Sequence, residues 1–297
     1  MGSYPTFFYP EIAVDPNHGI GRLLDPPRPF ASIMPGVDRV EMCDFPQDSL
    51  PKLRHFLEEM GLRYSVHFPL HTPDGYPFFP IRGLSTHPDP AARELYFRLL
   101  EHNLDLLDDW QAEHMVLHFN DNRPADDVDL SQAEVDTIAH SSAERLNQLS
   151  MRHGLPILLE YQPRSRFFRH PHQFAELAAA YPGLGICLDT GKLAHYAWEK
   201  GRDPVDVAQE MVPYTCSVHL WNTRPGLEQY GHIMPHPSQD PAQGWIDLEA
   251  VVSTVLEAHP ACPVVVEPNF MYNASEQYYR EGISWVRQVV RLRRSVE

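Results

Sequence analysis

Four short apolar segments each finish on a side chain that binds divalent metal ions: LPILLE on Glu160, GICLD on Asp189, TCSVH on His219 and CPVVVE on Glu267. Two more, RYSVHFPL and HMVLHFND, carry His67 and His118 at the matching place. A β-rich apolar run suits a strand buried on both faces, where a charged side chain is costly unless it sits at an open end with a partner. Three carboxylates and an imidazole converging at the carboxyl ends of parallel strands make an oxygen-rich site for Mn2+, Mg2+, Co2+ or Zn2+. Taken singly, any of the 17 histidines is more often a structural hydrogen-bonding group than a ligand, and His102, His140, His153 and His259 are read that way. Six metal-competent side chains at six strand ends leave little room for six separate structural explanations.

The elements that must position these residues alternate along the chain. Strands are expected at Phe7 to Val14, Arg39 to Cys43, Tyr64 to Phe68, Met115 to Phe119, Ile157 to Glu160, Gly185 to Asp189, Cys216 to Leu220 and Val264 to Glu267. Amphipathic helical stretches lie at Leu50 to Met60, Pro90 to Trp110, Gln132 to His153, Gln173 to Ala180, Pro204 to Val212, Leu248 to Ala258 and Glu276 to Arg294. Ser131 with Glu134 spells a capping box, and Asp89-Pro90 and Asp203-Pro204 set a capping carboxylate before a first-turn proline. Gly61, Gly154 and Gly183 stand where helices should stop. Such alternation gives right-handed βαβ units and a parallel sheet, and eight strands favour closure: an α/β protein, a (β/α)8 TIM barrel, in one domain over residues 1–297. The segment DPNHGIGRLLDPPRPFASIMPG, Asp15 to Gly36, is too broken by proline and glycine for the usual first helix, so a loop is expected there. The long irregular stretch Asn222 to Trp245 is expected to cover the active-site face.

Composition narrows the function classes. A chain of 297 residues buries about three quarters of the surface its unfolded form exposes, so it needs no disulfide to hold a core. Lys and Arg total 24 against 40 Asp and Glu, a net charge of −16, which disfavours a nucleic-acid partner. Cys43, Cys187, Cys216 and Cys262 lack metal-ligand spacing and read as buried free thiols suited to a reducing cytoplasm. No apolar run is long enough for a membrane helix and no signal region opens the chain, so neither membrane attachment nor secretion is expected.

The motifs YSVHFPL, VLHFND, ILLEYQP, ICLDTGK, SVHLWN and VVVEP, with HIMPHPSQDPAQGWIDL before the last helix, resemble those of the xylose-isomerase-like TIM barrels. That superfamily includes sugar isomerases, epimerases such as D-tagatose 3-epimerase, and endonuclease IV. The resemblance implies that Glu160, Asp189, His219 and Glu267 bind one divalent ion and that Glu160 and Glu267 are also the acid/base pair of an isomerase or epimerase. It implies a small-molecule carbohydrate substrate (a sugar, keto-sugar or polyol) and homo-oligomers, since dimers and tetramers are common among the relatives. His67 and His118 would contact substrate oxygens or help hold a second ion.

The departures keep a second reading open. Many relatives have histidine three residues after the strand-six aspartate, where this chain has Lys192, and Tyr230 stands in place of the aspartate that precedes His232 in endonuclease IV. A three-metal nuclease site is therefore not expected, whereas a phosphodiesterase-like hydrolase with one or two metals is the alternative. A barrel that binds a ligand without turnover is a third reading. Lys192 either holds an anionic substrate oxygen or is a solvated loop lysine. His195, Arg224, His232 and His236 are substrate-contact candidates from loops on the same face, and Trp221 and Trp245 are candidate pocket walls. Glu41, in VEMCDF, either faces the barrel mouth or supports a ligand.

Overall fold

The structure, a computed structural model, describes residues 12–14, 39–79, 82–120, 130–227, 231–267 and 275–294. The apolar runs form strands β1 (Ile12–Val14), β2 (Arg39–Met42), β3 (Arg63–His67), β4 (Met115–His118), β5 (Ile157–Glu160), β6 (Leu184–Asp189), β7 (Thr215–Leu220) and β8 (Val264–Val266). They make one sheet in the order β1-β8-β7-β6-β5-β4-β3-β2, in which β2 to β8 are parallel and β1 also borders β2. The result is a nearly closed TIM barrel of seven parallel strands. Register sets His118 opposite Glu160 and Asp189 opposite His219, so the predicted ligands lie level at one end.

The first strand departs from expectation. Ile12, Ala13 and Val14 pair with Val266, Val265 and Val264, so β1 runs antiparallel to β8. A parallel strand there would need a crossover helix back to the starting edge, and an antiparallel strand needs none. The prolines and glycines of Asp15 to Gly36 make that sequence a poor one for such a crossover helix. The loop expected over that segment, and residues 7–11 of the expected strand, lie outside the described residues.

Helices α1 (Leu50–Met60), α2 (Pro90–Leu107), α3 (Gln132–His153), α4 (Pro171–Ala180), α5 (Thr190–Glu199), α6 (Pro204–Gln209), α7 (Leu248–Ala258) and α8 (Glu276–Arg294) surround the strands. The capping signals work as read: Ser131 and Glu134 form a reciprocal capping box, and the Asp89 and Asp203 carboxylates accept from the Ala91 and Val205 amides. Gly61 and Gly154 close α1 and α3 in the left-handed conformation, φ 61° and 64°, which favours glycine. Gly183 is not a cap, because α4 already ends at Ala180; its amide instead bonds Asn147 Oδ1. Helix α5 was not anticipated.

The main apolar core lies between the outer faces of the strands and the helices. A separate small cluster, Val116, Leu158 and Cys187, sits two residues below His118, Glu160 and Asp189, and strand alternation therefore puts it inside the barrel beneath them. At the opposite end Glu113 clamps Arg39 (2.8 Å) and Arg63 (2.5 Å), tying β2 and β3 to the entry of β4. The cysteines are free, but Cys216 is exposed and Cys43 half-buried, against the expectation that all four are buried. Cys216 is the second residue of β7, near the strand's open amino end, where coverage is incomplete. No helix among the described residues is long and apolar enough to cross a membrane.

Candidate metal and acid/base site

Glu160, fully buried at the end of β5, stands at the centre of the mouth. Its Oε2 lies 3.0 Å from His67 Nε2 and 2.9 Å from His118 Nε2, while Oε1 meets the Lys192 ammonium. His219 Nδ1 is 3.8 Å from Glu160 Oε2 and 3.0 Å from Glu267 Oε1. The imidazoles pack on each other, with His67 edge-on to His118 and stacked on His219. Three overlapping sets bring ligand atoms close enough to share an ion: His67, His118 and Glu160; Glu160, Asp189 and His219; and His67, His219 and Glu267. His67, Glu160 and His219 are each shared by two of them.

Asp189 has two tasks because α5 begins directly at the end of β6. Its Oδ1 accepts the Lys192 amide at 2.8 Å as the helix cap, and Oδ2 remains directed at the Lys192 Nζ, 3.1 Å away. Lys192 is thus a first-turn helical residue reaching back into the mouth, which corrects its reading as a solvated loop lysine. Thr190 locks the helix start to the end of β7, its hydroxyl donating to Trp221 O (2.7 Å) and accepting from Trp221 N (3.1 Å). Gly191 lets the Trp221 ring lie against this turn, since a Cβ there would fall inside the ring's contact distance.

Glu41 lies fully buried below the mouth, with Oε1 2.8 Å from His219 Nε2 and Oε2 accepting from Ser65 Oγ at 2.7 Å. A carboxylate on Nε2 leaves Nδ1 as the nitrogen that faces Glu160 and Glu267, so Glu41 orients the imidazole. Of its two sequence readings, the supporting role is the one the geometry matches.

Electrostatics follow from burial and crowding. Burial alone would push the His219 pKa down, but Cys187, Glu267 and Glu41 outweigh it and hold it well above the ordinary histidine value. Burial would raise Glu267, yet the His219 charge holds it well below the usual carboxylate range. Asp189 is pushed up to about 7, by burial first and by the charge of Glu267 second. Burial also pushes the thiol of Cys187, which sits beneath the site, up to about 11.

The other predicted contacts divide. His232 Nδ1 is 3.7 Å from Glu267 Oε2, its ring stacks on Trp221 at 4.4 Å, and its backbone holds φ 39°, a conformation few non-glycine residues adopt. His195 is on α5 rather than in a loop and rests against Trp198 and Trp221. The Arg224 guanidinium lies over the Trp245 ring at 5.2 Å. His236 bonds Ser238 and Glu281 and stacks on Tyr278. Sequence reading missed Gln162, two residues past Glu160, which is fully buried and whose amide makes no hydrogen bond at either end. Its signal, a polar residue in the loop that follows a ligand-bearing strand, was present in ILLEYQP.

A divalent ion fits this donor set. Asp189 Oδ2, His219 Nδ1 and Glu267 Oε2 are buried and lie 3.1, 3.0 and 3.7 Å from Lys192 Nζ, Glu267 Oε1 and His232 Nδ1, yet none completes a well-formed hydrogen bond, a geometry that an ion among them would satisfy. Hard oxygens with imidazole nitrogen are the ligands that Mn2+, Mg2+, Co2+ and Zn2+ accept.

The sequence profile of the family described as xylose isomerase-like TIM barrel matches residues 31–289, and the chain belongs to that family. Among solved structures, a D-tagatose 3-epimerase-like protein superposes with a TM-score of 0.65 at 14% identity, covering 86% of this chain and 89% of that one. The 3-keto-D-glucoside 4-epimerase of E. coli, in apo form, gives 0.62 at 15% identity over 81% and 85%. A xylose isomerase-like TIM barrel protein of Mycobacterium smegmatis in complex with magnesium gives 0.58 at 13% identity over 87% and 85%. At these identities the likeness is one of fold. No curated protein sequence matches the chain.

Proposed function

We propose that the protein is a divalent-metal-dependent isomerase or epimerase of a small sugar, keto-sugar or polyol, with Glu160 and Glu267 as its acid/base pair. The observation that carries this reading is the approach of two buried glutamates to one imidazole nitrogen, His219 Nδ1, at 3.8 and 3.0 Å. Epimerases among the structural neighbours support the choice of sugar chemistry. Glu160, Asp189, His219 and Glu267 would hold the ion, which when bound polarises a substrate carbonyl and hydroxyl and makes the adjacent C–H acidic. One glutamate then takes the proton and the other returns it, so that two faces of one substrate are served by two bases. His67 and His118 steady Glu160 Oε2 and offer polar edges to substrate oxygens. The unbonded Gln162 amide is a further place for a hydroxyl, and Lys192 and His232 stand at the mouth for the same purpose, with His195 and Arg224 farther out.

Glu160→Gln and Glu267→Gln test the assignment, because an amide keeps an oxygen for the ion but cannot take a proton at neutral pH. With Mn2+ and D-tagatose or D-psicose as trial substrates, each variant is expected to keep its circular dichroism and lose turnover by about 100-fold to 10,000-fold. Near-normal turnover in both would remove the acid/base assignment. The second reading, a phosphodiesterase-like hydrolase, is favoured by the set His67, His118 and Glu160, which shares Glu160 with the first. Two ions per chain with phosphodiester cleavage would select it; one ion with proton exchange selects the isomerase.

A further inference from the structure

One level beyond Glu160 and His118 the barrel wall carries two carboxamides with unused hydrogen-bonding atoms. Glu160 faces the mouth, Tyr161 turns outward onto Phe174 of α4 and Tyr196 of α5, and strand alternation returns Gln162 to the inside. The ladder runs on through this stretch, the Tyr161 amide donating to Cys187 O at 3.0 Å. Strand β4 repeats the pattern: after His118, Phe119 packs outward on Phe174 and Asn120 comes back inside. Because His118 and Glu160 are paired in register, Asn120 and Gln162 stand level, and Asn120 Nδ2 donates to Gln162 O at 3.1 Å. Both residues are fully buried, yet Asn120 Oδ1 and both ends of the Gln162 amide have no hydrogen-bond partner among the described residues. Buried amides are rarely left so.

The unused atoms define what the pair can hold. Asn120 Nδ2 also donates to Phe168 O, and since a carbonyl only accepts, the two bonds fix the amide with Oδ1 as its free atom. That oxygen asks for a donor. The Gln162 amide adds a donor at one end and an acceptor at the other. A hydroxyl both donates and accepts, so two neighbouring hydroxyls satisfy the whole set, whereas a carboxylate or phosphate oxygen would face acceptors. We infer that Asn120 and Gln162 form a hydroxyl subsite for the far end of the substrate, and that this subsite selects a chain long enough to reach it. The inference rests on the metal-dependent sugar or polyol reading and adds chain length to it. Two strand residues rise about 6–7 Å, which sets the height of the subsite above Glu160. An extended carbon chain gains about 1.3 Å per bond, so a three-carbon ketose bound at the ion falls short and a six-carbon one spans the gap. A ligand that falls short leaves the buried amides unpaired, and such sites discriminate against it.

Water-proton relaxation of bound Mn2+ reports ligands that enter the site, and chain length is the variable to test. On the Mn2+-loaded natural chain, the best-bound of D-tagatose, D-psicose, D-fructose and D-sorbose is expected to bind about 10-fold more tightly than dihydroxyacetone. Gln162→Met, of similar length but without the amide, is expected to reduce that preference to about 2-fold or less, with Gln162→Leu as a second variant should the first fold poorly. Since the Gln162 amide bonds no protein group, neither substitution is expected to lower the urea-unfolding midpoint, which loss of a structural hydrogen bond would lower. Equal affinity of the natural chain for the long and short ketoses, a preference kept in the folded variants, or a midpoint lowered in both would overturn the inference. No Mn2+ binding to the natural chain, or no ketose altering the relaxation, would instead overturn the metal-dependent sugar reading beneath it.

Discussion

Glu41 supports the His219 imidazole from below, through a contact between residues 178 positions apart. Glu41→Ala leaves a buried N–H without its acceptor, which costs about 1–3 kcal/mol of stability. It also frees the ring to turn, and lost support of this kind lowers metal affinity by about 10-fold to 100-fold. Glu41→Gln, which can still present an oxygen to Nε2, is expected to recover most of both losses. Chelator competition with Mn2+ and denaturant unfolding measure the two quantities, and equal Mn2+ affinity in Glu41→Ala and the natural protein would refute the positioning role. The residues at the strand ends were legible because a charge that finishes an apolar run announces itself in one dimension. Glu41 was only half legible, since it sits a layer deeper and its partner is specified by closure of the barrel. Arg224, whose spacing after β7 suggested the mouth, rests over the flat Trp245 ring, a contact that the spacing alone could not specify.

Among the elements, α5 is the one that sequence reading passed over, and the site depends on it. The usual helix signal is a loop, then a cap, then periodic apolar residues, whereas here Asp189 ends the strand and caps the helix at once. The buried residues Leu193, Ala194 and Ala197 carry the helical period, but Gly191 in the first turn is a poor helix former and weakens the local signal. Its presence is explained by Trp221. Alanine would favour the helix by about 1 kcal/mol, yet its methyl would enter the space of the Trp221 ring, which is itself 3% exposed and has little room to withdraw. Gly191→Ala is therefore expected to be destabilising by about 1–3 kcal/mol in urea unfolding, and a variant more stable than the natural protein would show that the ring moves freely. By contrast, α3 was legible to the residue at both ends, because Ser131, Glu134 and Gly154 are local signals that no tertiary contact has to complete.

For the molecule as a whole, alternating strand and helix patterns were enough to specify a barrel, while the direction of its first strand was hidden. A short run such as Ile-Ala-Val has no polarity in its sequence; pairing with β8 supplies it. That pairing also says something about time. Strands β2 to β8 each lie beside their predecessor, so they can assemble through short-range βαβ units one after another. Ile12 meets Val266, nearly the whole length of the chain away, and although β1 also borders β2, its hydrogen-bonded partner does not exist until β8 has formed. The pairing of β1 then belongs late in folding, after the rate-limiting barrier, and proline replacements across Ile12, Ala13 and Val14 are expected to quicken unfolding while leaving the refolding rate little changed. A refolding rate that fell in step with stability would place β1 in the nucleus instead. Because Glu267 follows β8 directly, the strand that arrives last is also the one that fastens the base of the glutamate proposed for acid/base work, so a barrel still waiting for β1 would have its fold before it had a firm candidate site.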